Sequence, residues 1–196
     1  TYTGLHSCSI KKQAVEQTSG MFLSHNNKPI RAMFDTCCGG VIPAHIDGVN
    51  FVDAPYLARN YACTHCKCCA VYSWQAIYTV SELERLIKPQ VPHVRNMRSI
   101  QITKKDKAGL VKEALVHGSK RKHTMPGRKL YSLCKQIKSY CFGVRASANT
   151  IIFEGKGYGH HMGLCQWGAR EMVRDGWDYK RVLRFYYPST EFKRLA

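Results

Sequence analysis

Acidic residues are scarce in this sequence. Only 13 Asp and Glu stand against 30 Lys and Arg, giving a formal net charge of +17. A surface so basic seeks anions: nucleic acid, acidic lipid or an anionic polymer of the cell envelope. Long apolar runs are absent too. No stretch approaches the roughly 20 consecutive apolar residues of a membrane span, so no transmembrane segment is expected in the chain. There is no internal repeat and no low-complexity linker, and the opening TYTGLHSC has neither an initiator Met nor an apolar signal region. The expectation is a processed product or a piece of something longer.

What is present describes a folded protein. The 196 residues are 44% hydrophobic and 11% aromatic, which argues for a globular chain with a real core and against disorder. Ten cysteines are many for a cytosolic protein of this size. The run CTHCKCC packs Cys63, His65, Cys66, Cys68 and Cys69 into seven residues. Cys63-x-x-Cys66 has metal-ligand spacing, yet a structural zinc usually takes its second pair from a distant segment. Cys63, Cys66, Cys68 and Cys69 are the candidate metal ligands, with disulfides and free thiols as open alternatives. No cofactor is required by the pattern; zinc is the one it allows.

Local patterns give the outline of a fold. AVEQTSGMFLSHNNKPIRAMF reads as a β-hairpin turning at His25-Asn26-Asn27-Lys28. TVSELERLI has Ser81 as its N-cap, with Leu83, Leu86 and Ile87 at helical spacing. The most basic stretch is 104–129; within it GLVKEALVHG reads as a helix by propensity or, preferred, as an edge strand closed by Gly118. GRKLYSLCKQI is helical in period, and FGVRASANTIIFEGKG is a second hairpin turning near Ala148-Asn149. GAREMVRDG is a helix stopped by Gly176, and Asp178 caps a following helix, YKRVLRFYY, that Pro188 ends. Strands early and late with helices between them indicate an α+β fold with an antiparallel β-rich core. One domain over 1–196 is expected.

The stretch GKGYGHHMGLCQWGAREM carries the most chemistry. Glycine this dense is kept where the chain takes positive φ or lies close to something. A tight turn is the plain reading; the wall of a binding groove is the sharper one. Tyr158, His160, Gln166 and Trp167 are the aromatic and polar side chains such a groove wall would present. His161 reads as a metal ligand or an exposed bystander, and Trp167 equally as core.

GKGYGHHMGLCQWGAREMVRDGWDYKRVLRFYYPST resembles the C-terminal motif of the stage II sporulation protein D and amidase-enhancer family. AVEQTSGMFLSHNNKPIRAMFDTCCGG, PYLARNY, LVKEALVHG and GRKLYSLC match that family's order of elements, so the resemblance covers nearly all of the chain. His161 stands where the family pattern has Gly, and Cys38 and Cys165 stand where it has Ser. The two Ser-to-Cys changes open a route to redox sensitivity; equivalence in size is the simpler account.

The resemblance implies several short helices lining a glycan groove, with Gly39, Gly40, Tyr158, Gly159, His160, Gly163, Gln166 and Trp167 as substrate-binding residues. It implies a peptidoglycan lytic transglycosylase acting with an N-acetylmuramoyl-L-alanine amidase in the bacterial cell envelope, periplasmic or extracytoplasmic. A non-catalytic glycan-binding or amidase-activating module is the alternative. A specific nucleic-acid partner is not expected, because no aromatics interleave the basic run as a stacking platform needs. The family's catalytic Glu is expected upstream of this chain, so no catalytic residue is assigned; Asp35 and Glu154 are the carboxylates to weigh as acids. Some family members also carry a His/Cys zinc cluster close to where His6 and Cys8 lie.

Overall fold

A computed structural model describes residues 8–195; His6 lies outside them. The chain begins with helix α1 (Ser9–Gln17), then strands β1 (Met21–His25), β2 (Lys28–Pro29) and β3 (Phe34–Asp35). Two short 3₁₀ turns, Pro43–His45 and Pro55–Leu57, precede β4 (Ser73–Thr79) and α2 (Val80–Ile87). Next come β5 (Ser99–Lys105), β6 (Val111–His117), β7 (Lys122–Pro126) and α3 (Gly127–Leu133). The chain closes with β8 (Phe142–Ser147), β9 (Thr150–Lys156), β10 (Leu164–Cys165), α4 (Gln166–Arg174), α5 (Tyr179–Tyr186) and β11 (Glu191–Arg194). This is an α+β fold.

Three three-stranded antiparallel sheets, ordered β11-β1-β2, β4-β9-β8 and β5-β6-β7, accompany one parallel pair, β3 with β10. The largest core cluster lies between the β4 and β5 sheets and under α2 and α3. It buries Tyr78, Leu83, Ile87, Ala114, Val116, Leu130, Phe142, Ile151 and Phe153. A second cluster holds α4 and α5 against the 37–69 segment, and six of its twelve fully buried residues are cysteine. Short side chains bury little apolar area, so this cluster gains less from hydrophobic burial than the first.

The structure corrects several local readings. Ala14–Gln17 belong to α1 and not to the hairpin, whose arms are β1 and β2. The turn itself stands as read: Asn26 and Asn27 take φ of 50° and 61°, the left-handed pair of a tight hairpin. Helix α2 is capped by Thr79, not Ser81; the Thr79 hydroxyl accepts from Glu82 N–H while the Glu82 carboxylate accepts from Thr79 N–H. Strand β6 is central in its sheet, not an edge. Strand β11, unread in the sequence, pairs with β1.

Candidate functional site

An open cleft of about 970 Å³ lies between the 39–45 loop and the β4-β9-β8 sheet. Its lining comes from strands, from the loop at 39–45 with its 3₁₀ turn and from the turn at 107–109, and from no α-helix. Gly39, Gly40 and His45 form one side, Trp74 and Gln75 of β4 another, and Lys105, Lys107 and Lys156 add positive charge. Trp74 pairs across the sheet with Gly155, and its indole lies where a Cβ on Gly155 would be, so the glycine seats the ring. The Trp74 Nε1–H donates to Gly157 O at 2.8 Å, which fixes the ring's tilt.

Glu154 is the carboxylate in this lining, and it is ionised. Gln75 and Arg145 donate to its Oε1 at 3.0 and 3.2 Å, and these bonds hold it below the usual carboxylate range.

The glycine loop touches the cleft where Gly39 lies against the Gly157 backbone. Its glycines serve the protein's own packing. A Cβ on Gly157 would meet Cys37 O, one on Gly159 the Asp35 carboxylate, and one on Gly163 the Met33 carbonyl. All three have positive φ, which favours glycine. The sequence-predicted residues therefore fall in three places. Gly39 and Gly40 line the cleft. Tyr158, Gly159 and His160 form the loop beside Asp35, with Lys138 Nζ 5.6 Å above the Tyr158 ring. Gln166 and Trp167 begin α4; the Trp167 ring is half-buried, lies under Arg170 at 4.9 Å, and donates through Nε1 to Cys68 Sγ.

Asp35 and the two histidines make a buried polar corner. His160 N–H donates to Asp35 Oδ1 at 2.8 Å, and the ring nitrogen Nδ1 lies 3.3 Å from the same oxygen. Met162 N–H donates to His160 Nδ1, leaving Nε2 as the ring's N–H. Burial pushes the Asp35 carboxyl up to about 7, while the backbone N–H groups of His160 and His161 pull it down. His161 is buried rather than exposed. Its Nδ1–H donates to Cys38 O at 2.9 Å, and burial pushes the imidazole down to about 4, so the ring is neutral.

The cysteines converge differently from their order in the chain. The Sγ atoms of Cys38, Cys63, Cys66 and Cys165 all lie within 4.8 Å of one another, and all four residues are buried. Cys63 and Cys66 are brought together with Cys38 and Cys165. Of the other two in the run, Cys68 is exposed beside Trp167, and Cys69 is buried outside the group. The neighbouring thiols, Cys37 and Cys38 foremost, hold Cys165 well below the ordinary thiol range. The same contacts, with Cys165 first, push Cys38 up. The sequence signal for Cys38 and Cys165 was their standing where the family pattern has Ser. Lys105 and Lys107 fall in the basic stretch 104–129, whereas the strand that carries Trp74 was not read from the sequence.

A family profile described as a domain of unknown function, DUF8618, matches residues 56–163, more than half of the chain. The chain belongs to that family. An uncharacterised protein of Brachyspira hyodysenteriae is 30% identical over 90% of this chain and 46% of its own length. Stage II sporulation protein D of Bacillus subtilis is 24% identical over 91% of this chain and 49% of its own. A protein named amidase enhancer, also from Bacillus subtilis, is 40% identical over 28% of this chain and 8% of its own. The chain thus spans about half the length of the curated relatives it matches along most of its extent. No helix among the described residues is long and apolar enough to cross a membrane.

Proposed function

We propose that this chain is the strand-holding part of a peptidoglycan-remodelling protein of the bacterial cell envelope, and that it takes glycan strands already stripped of their stem peptides. The carrying observation is the open cleft lined by Trp74, Gln75 and three lysines. An open cleft suits a polymer that enters and leaves at its ends. Trp74 offers a ring face to a sugar, and Gln75 offers donors and an acceptor to acetamido groups. The lysines give the preference: an amidase that removes a stem peptide leaves a lactyl carboxylate on the sugar, so a stripped strand is a regular polyanion. Relatives named for sporulation and for enhancing an amidase fit a protein acting where N-acetylmuramoyl-L-alanine amidase products accumulate.

Lytic transglycosylase chemistry on such strands needs a proton donor against the glycosidic oxygen. In the cleft the described carboxylate is Glu154, which is ionised. Asp35 holds a proton near neutral pH, but its side chain is only 3% exposed beneath His160. This chain therefore supplies binding, and a donor for cleavage has to reach the cleft from another segment.

Co-sedimentation with purified peptidoglycan, before and after amidase treatment, tests the reading. Retention is expected to rise on stripping and to fall about tenfold, roughly 1.4 kcal/mol, in the double variant Lys105→Glu, Lys107→Glu. Equal retention on both polymers, unchanged by Trp74→Ala and lost entirely at moderate salt, would reduce the interaction to general charge attraction.

A further inference from the structure

We propose that Cys38, Cys63, Cys66 and Cys165 are the four ligands of a single structural zinc ion. The geometry comes first. Four thiolates at about 2.3 Å from a tetrahedral ion stand about 3.8 Å from one another. The four Sγ atoms here lie within 4.8 Å of one another, and Cys38 Sγ is 3.6 Å from Cys66 Sγ. That spacing encloses one ion; a cluster with bridging sulfides holds its thiolates further apart. The ligand order also fits. Cys63-x-x-Cys66 supplies a close pair, and Cys38 and Cys165 arrive from segments far away in sequence, as structural zinc sites combine them.

The surroundings are arranged for thiolates. Cys38 N–H and Gly168 N–H both donate to Cys165 Sγ at 3.3 Å, the second from the first turn of α4. The Tyr186 hydroxyl lies 3.1 Å from Cys63 Sγ. Such outer hydrogen bonds orient metal-bound sulfur and spread its charge. Gly168 leaves the space the sulfurs occupy: a Cβ there would stand 2.7 Å from Cys63 Sγ and 3.4 Å from Cys165 Sγ.

Arg59 supplies an independent observation. It is 1% exposed, its Nε and Nη2 have no hydrogen-bond partner, and it forms no ion pair among the described residues. A buried guanidinium stays charged and is costly without a compensating anion. Its carbon Cζ sits 5.7 Å from the centroid of the Tyr186 ring, the same tyrosine whose hydroxyl meets Cys63. One Zn²⁺ on four thiolates carries a formal charge of about −2, the complement this cation lacks. Four neutral thiols would leave Arg59 with only the Tyr61 carbonyl and the rings of Tyr61, Phe185 and Tyr186 as partners, and no anion.

Loading is ligand exchange without redox chemistry. Zn²⁺ gives up water ligands, four S–Zn bonds form, and the thiol protons leave to solvent. The ion would join the turn after β3, the 63–66 segment and the start of α4, stapling the core cluster in which cysteine is most abundant. The proposal does not depend on the glycan reading.

The test is metal analysis of the chain purified in reductant without chelator, followed by replacement with Co²⁺. One zinc per chain is expected, and the cobalt form should show the sulfur-to-metal charge-transfer bands and red d–d bands of a tetrahedral tetrathiolate. Cys38→Ser and Cys165→Ser should lose the stoichiometric ion, while Cys68→Ser and Cys69→Ser keep it. The cobalt spectrum of the unaltered chain carries the test even if the ligand variants fail to fold. Absence of bound zinc and of the tetrathiolate spectrum would overturn the proposal. So would a disulfide among the four found by mass spectrometry, or iron with acid-labile sulfide in place of zinc.

Discussion

At the scale of single residues, the glycine loop and its carboxylate make two separable predictions. Gly163 combines φ of +71° with the Met33 carbonyl where its Cβ would be, whereas Gly176 has φ of +83° and open space. Gly176→Ala should cost about 1 kcal/mol, from backbone strain alone, and Gly163→Ala about 3 kcal/mol or more, because a carbonyl must also move. Urea unfolding of the two variants checks the ordering; equal losses would show that the loop yields freely. Asp35 gives a pH signature. Its folded value of about 7 exceeds the unfolded value near 3.8, so the native state keeps a proton that the unfolded chain releases. The stability this contributes is fully present below pH 4 and is lost as pH rises toward 7. Asp35→Asn, uncharged throughout, escapes that loss. The stability of the variant relative to the unaltered chain should therefore rise between pH 4.5 and 7.5, and a constant difference would mean that Asp35 titrates normally. Loss of the proposed zinc in acid would affect both chains alike and cancel in the comparison.

At the scale of elements, what could be read in advance was what is encoded locally. Asp178 caps α5 by accepting from Arg181 N–H at 2.7 Å, and Gly176 ends the turn before it, both signals confined to a few residues. The second hairpin was legible for the same reason, with Ala148 in the left-handed turn. Readings failed where a distant partner decides. Strand β11 exists because β1 offers it an edge some 170 residues earlier, and AVEQ, which the hairpin reading took in, ends α1 instead. The site followed the same rule. CTHCKCC drew attention to adjacent cysteines, while the close group takes Cys38 and Cys165 from elsewhere, positions noticed singly as departures from Ser. The cap of α2 is the measurable case: Thr79→Ala should cost about 1 kcal/mol, and Ser81→Ala only a few tenths. Chemical denaturation of both decides it, and a larger loss at Ser81 would return the cap to the position the sequence first suggests.

At the scale of the whole molecule, the charge of +17 and the open basic cleft favour the proposed strand binding, and the proposed cleavage is the more demanding step. A proton donor in contact with the leaving oxygen is worth about 10²–10⁴ in rate, and it must hold its proton at working pH. Glu154 lines the proposed cleft but has the wrong protonation for an acid, since Gln75 and Arg145 keep it ionised. Asp35 has the right protonation in the wrong place, under His160 and behind Gly159. The two requirements fall on different residues. This chain alone, incubated with amidase-stripped glycan at neutral pH, should therefore bind the strands and release no anhydro-sugar ends detectable by mass spectrometry. Glu154→Gln should leave binding within a few-fold, since one exposed carboxylate contributes little among the lysines. Anhydro-sugar release by the chain, abolished by Asp35→Asn but not by Glu154→Gln, would mean that the His160 loop opens far enough to bring the buried acid to the substrate.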